Sequence, residues 1–133
     1  MMTPSKDCFD LIRHYEGCVL NAYPDPATGG EPVTIGYGHT GKVCMGETCT
    51  KQQAEDWMAE DANATAAAIQ KVVTAPLTQP QLDAITSLVY NIGMGDFKKS
   101  TLLKKLNKED YTGASQEFMK WVYGAGKVMP GLV

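Results

Sequence analysis

Arginine is almost missing from this chain. Arg13 stands alone against eleven lysines, so the planar fork that grips a phosphate through two oxygens is nearly unavailable. With a net charge of −3, this argues against a nucleic-acid partner. Histidine is scarce as well, with only His14 and His39. The four cysteines, Cys8, Cys18, Cys44 and Cys49, lack metal-ligand spacing, and no metal or other cofactor is expected. No apolar run approaches the roughly 20 residues a spanning helix needs, so stable membrane insertion is not expected. The opening Met1-Met2-Thr3-Pro4-Ser5-Lys6-Asp7 runs into a mixed-polarity helix and does not read as a secretory signal.

Cysteine usage leaves the redox compartment open. Cys44 and Cys49 bracket a turn short enough for a local disulfide under oxidising conditions, and free thiols fit equally well. Cys8 and Cys18 lie ten residues apart on or near one helix. About 15 Å of helical rise separates them, so they cannot bond without unwinding it.

What is present reads as a folded domain. A chain of 133 residues, 44% apolar and 20% charged, can bury its own core as a single unit, and a monomer is expected. The charge is uneven. Residues 1–61 carry ten acids against four bases, and residues 62–133 carry five acids against eight lysines. Lys98, Lys99, Lys104, Lys105 and Lys108 fall within eleven residues. They fit either a solvated helix face or a basic lobe that meets an anionic polymer.

Local signals order the elements. Thr3-Pro4 reads as a cap and first turn, and Phe9, Ile12 and Tyr15 recur at helical spacing until Gly17. Glu16 then occupies the last turn of that helix. Between residues 21 and 49 glycine, proline, threonine and β-branched residues predict a small sheet or hairpin. Thr50-Lys-Gln-Gln53 has capping-box form and opens a long helix near 51–73. Thr78-Gln-Pro-Gln81 repeats the signature before Leu82, Ile85, Leu88, Val89 and Ile92, the predicted core helix. Two shorter helices are expected near 100–107 and 113–122. The fold class is α+β.

Two acids carry the chemical signal. Glu16 sits where the helix dipole is negative, which disfavours a carboxylate and suits a general acid. Asp25, between Pro24 and Pro26, is expected to stay ionised in a solvated loop. Thr34 adds a hydroxyl able to hold a water molecule. Two carboxyls of different exposure are the minimum equipment for cleaving a glycosidic bond. A surface acid after a helix and an acid in a turn are also common.

Glu16-x8-Asp25, Thr34-Ile-Gly-Tyr-Gly-His39 and Tyr90-Asn-Ile-Gly93 together resemble the phage-type lysozymes, or endolysins, from about residue 5 to the C-terminus. The resemblance implies one lysozyme-like domain over 1–133, with residues 18–50 as a small β lobe joined by the long helix to a mainly helical lobe. It implies inverting hydrolysis of the β-1,4 bond between N-acetylmuramic acid and N-acetylglucosamine in peptidoglycan. Glu16 corresponds to the catalytic acid, and Asp25 with Thr34 to the pair that positions water. Thr40, Tyr90, Asn91 and Ser100 correspond to positions lining the glycan cleft. His39 corresponds to a structural partner for an aspartate of the long helix, here Asp61. Synthesis in a bacterial host cytoplasm and action on the wall are implied as well.

Departures from the pattern keep alternatives open. The loop from Asp25 to Thr34 is longer than the family pattern and brings in Glu31. The family's arginine-rich stretch and final helix beyond Pro130-Gly-Leu132 are expected to be absent. A lysozyme-like domain that binds glycan or a partner without hydrolysis is one alternative. A lytic transglycosylase, which would use Glu16 without Asp25, is another.

Overall fold

In a computed structural model, the structure describes residues 2–24, 33–40 and 43–124. Among the described residues six helices and two strands follow in order: α1 (Lys6–Glu16), β1 (Val19–Tyr23), β2 (Thr34–Gly36), α2 (Lys51–Val72), α3 (Gln79–Ile92), α4 (Met94–Lys99), α5 (Thr101–Asn107) and α6 (Tyr111–Gly124). The mainly helical chain with one small sheet is α+β. Its contacts divide into two units, Ile12–Asp61 and Met1–Leu11 with Ala62–Val133.

The first unit contains the sheet. α1 stops because Gly17 adopts a φ of +69°, and the Gly17 N–H donates to the Arg13 carbonyl at 3.1 Å. β1 pairs antiparallel with β2, Val19 opposite Gly36 and Tyr23 opposite Thr34, and its register shifts between those pairs. Four residues of rise on one strand therefore face two on the other, which bends β1. Other β1 groups bond the segment before α2: Ala22 N–H to the Glu47 carbonyl and Cys49 N–H to the Leu20 carbonyl, both 2.9 Å. After β2 the chain reverses through Gly36-Tyr37-Gly38, and Ile35 and His39 exchange both backbone hydrogen bonds, at 2.9 and 2.8 Å. A Cβ on Gly36, whose φ is +67°, would lie 3.1 Å from the Ala54 Cβ. Only glycine lets this turn sit so close to α2.

α2 opens with the expected box. Thr50 Oγ1 accepts from the Gln53 N–H at 3.1 Å, and Gln53 Oε1 accepts from the Thr50 N–H at 2.9 Å. Ala54, Met58, Ala62, Ala66 and Ile69 repeat every three or four residues and are buried, giving the helix one packed stripe.

The second unit is built on α3. Its capping box, Thr78 with Gln81, is formed. Leu82, Ile85, Leu88 and Val89 are buried, as are Phe97, Leu102, Leu103 and Leu106 from α4 and α5. Those apolar faces turn Lys98, Lys99, Lys104 and Lys108 outward, where all four are exposed. The helix expected from Pro4 begins at Lys6 instead. Ser5 is held by Asp83 of α3, which accepts its N–H at 2.9 Å and also its hydroxyl. α4 is an element the helical periodicity did not predict. All four cysteines are free thiols.

Candidate active site

The last turn of α1, the β1–β2 pair and the start of α2 place the candidate residues. Glu16 is the final residue of α1, one glycine and one cysteine before β1. Asp25 and its rival Glu31 lie outside the described residues. Thr34 opens β2 opposite Tyr23 and is buried at 8% exposure. The candidate hydroxyl is thus carried on a packed strand.

His39 closes the turn and is anchored on α2. Its Nδ1 donates to Asp61 Oδ2 at 2.7 Å, and its ring stacks on Trp57 with centroids 4.7 Å apart and planes 9° apart. Asp61 and Trp57 are one turn apart on α2. A histidine held on both sides has its nitrogen and ring face committed to holding the strand end in place. Thr40 follows it and is exposed.

A second anchor involves residues that sequence reasoning left unassigned. Arg13 Nε donates to both oxygens of Glu55, 2.9 Å from Oε2 and 3.2 Å from Oε1. The Tyr37 hydroxyl donates to Glu55 Oε1 at 3.2 Å. Burial, then the Glu55 charge, push the Tyr37 phenol up, against a hydrogen bond from Lys51 that lowers it. The one available clue was a lone arginine one turn before the candidate acid.

The remaining candidates lie in the other unit. Tyr90 and Asn91 are half-buried in the last turn of α3. Ser100 is buried at 6% exposure and caps α5. Its hydroxyl donates to the Phe97 carbonyl at 2.6 Å and accepts from the Leu103 N–H at 3.1 Å. Both of those bonds lie inside the α4–α5 junction, where Ser100 caps α5. Among the described residues no group of three histidines, cysteines or carboxylates is placed to hold a metal.

The family model "Phage lysozyme" matches residues 13–133. An endolysin of Acyrthosiphon pisum secondary endosymbiont phage 1 is 49% identical over 127 residues, covering 92% of this chain and 85% of that protein. The endolysin of Bacillus phage PZA is 39% identical over 133 residues, and the chain spans about half of it, 51%. Among solved structures, the muramidase domain of SpmX from Asticaccaulis excentricus superposes with a TM-score of 0.83 at 32% identity, over 92% of this chain and 81% of that one.

Proposed function

The chain belongs to the phage lysozyme family, and on that premise we propose that it is an endolysin that hydrolyses the β-1,4 bond between N-acetylmuramic acid and N-acetylglucosamine with inversion. Residues 18–50 serve as the small β lobe of a single lysozyme-like domain. The substrate is the peptidoglycan strand of the bacterial wall, and no cofactor takes part. Among the described residues no helix is long and apolar enough to cross a membrane.

The chemistry divides among three residues. Glu16, protonated at a helix C-terminus, gives its proton to the glycosidic oxygen as the bond to the anomeric carbon breaks. Asp25, ionised, takes a proton from the water that attacks the opposite face of the sugar. Thr34 holds that water through its hydroxyl. Thr40, Tyr90 and Asn91 are the proposed substrate-contact residues.

The observation that carries this reading is the junction of α1 with the hairpin. A helix ending at Glu16 passes through Gly17 into β1, and β1 pairs Tyr23 with Thr34. The proposed acid thus ends the helix that leads into the hairpin, and the proposed water-holding hydroxyl opens that hairpin's second strand. The test is Glu16→Gln and Asp25→Asn in the purified full chain, assayed by clearing of wall suspensions. Both variants are expected to lose activity by about a hundredfold or more. Wild-type clearing by Glu16→Gln would remove the reading.

A further inference from the structure

The last backbone hydrogen bond of α1 runs from the Gly17 N–H to the Arg13 carbonyl, at 3.1 Å. Arg13 therefore closes the turn that ends in Glu16. Its side chain leaves that turn for α2, where Nε meets both Glu55 oxygens, at 2.9 and 3.2 Å. The same carboxylate accepts the Tyr37 hydroxyl at 3.2 Å. Tyr37 is three residues beyond Thr34 in the tight turn that follows β2, and it is only 3% exposed. One side chain of α2 thus grips two segments at once.

We infer that Glu55 is a positioning residue: through Arg13 and Tyr37 it sets the spacing between the helix turn that ends in Glu16 and the strand that begins at Thr34. This rests on the reading of Glu16 and Thr34 as members of the hydrolytic site. Both Glu55 oxygens are engaged by donors, an arrangement that suits an anchor and not a proton carrier. The Arg13 and Glu55 side chains are 36% and 23% exposed, so solvent screens the pair and it adds little to global stability. Its effect on rate is larger. In-line attack needs acid, water and anomeric carbon aligned together, and a misplacement of about 1 Å costs about a hundredfold in rate.

The experiment measures kcat and KM of the full chain on soluble, uncrosslinked glycan strands. Glu55→Gln, Arg13→Met, the double variant and Tyr37→Phe are compared, with thermal unfolding used to fix the folded fraction. Glu55→Gln is expected to lower kcat about ten- to a hundredfold with KM changed less than about twofold. The double variant is expected to cost no more than its worse single variant, because both remove one link. Tyr37→Phe, which deletes one hydroxyl, supplies the same readout if Glu55→Gln does not fold, with a loss of about three- to tenfold in kcat. A kcat for folded Glu55→Gln within about twofold of wild type would overturn the inference, as would losses that add in the double variant. Glu16→Gln is run beside them. If it stays active, the site reading and this inference both fall. If it is inactive while Glu55→Gln keeps full kcat, only this inference falls.

Discussion

His39 is clamped to Asp61: Nδ1 to Oδ2 is 2.7 Å, and the ring lies flat on Trp57 one helical turn earlier. A charge-assisted hydrogen bond and a stacked ring act on the residue that ends the strand-turn after Thr34. Asp61 is 38% exposed, so screening limits the ionic part. Asp61→Asn is expected to lower stability by about 1 kcal/mol, read by urea denaturation. Specific activity of the folded fraction should be retained, because the pair supports the strand without touching substrate.

Gly36 tests how closely the turn must approach α2. Its φ of +67° strains any side chain, and a Cβ 3.1 Å from the Ala54 Cβ would have to push that neighbour aside by a few tenths of an ångström. Gly36→Ala should cost about 1–3 kcal/mol, from left-handed strain and a displaced turn. Activity should fall with it, since Thr34 is two residues away on the same strand.

Ser100 separates capping from substrate contact. Ser100→Ala removes the acceptor for the Leu103 N–H and should cost about 1 kcal/mol in stability. KM on soluble glycan strands should be unchanged. A raised KM with unaltered denaturation would instead mark Ser100 as a cleft residue.

Alkaline pH should weaken the fold in a defined window. Cys8 is fully buried, and burial, then the Asp83 charge, push its thiol from 9.0 up to about 12. Between those values the unfolded thiol has lost its proton and the folded one keeps it. Fewer protons on the unfolded state mean that stability falls as pH rises from 9 towards 12 and is untouched below 9. Burial also pushes Tyr37 and Cys49 up, which acts in the same direction. Urea midpoints between pH 8 and 11 should fall less steeply in Cys8→Ala than in the wild type. Thiol reagents at pH 8 should label exposed Cys44 in the native protein and spare Cys8.

Local chemistry made the helix starts readable. Thr50 with Gln53 and Thr78 with Gln81 are contacts three residues apart, so the chain itself specifies them. The start of α1 was misplaced because Ser5 is held by Asp83, 78 residues away, which no local pattern records. α4 has six residues and one buried side chain, Phe97, too little for a period to be visible. The pairing of His39 with Asp61 came from resemblance, since nothing in the spacing of 22 residues demands it. For Glu16, Asp25 and Thr34 the helix end, the proline-bounded loop and the hydroxyl suggested roles, and the resemblance made them specific. Arg13 with Glu55, 42 residues apart, had neither a local signature nor a motif.

The most direct test is product analysis of purified sacculi digested by the full chain. The account predicts new reducing ends on N-acetylmuramic acid, released as the α anomer and absent from a Glu16→Gln digest. Retention on sacculi with no new reducing ends, or release of 1,6-anhydro products, would contradict it.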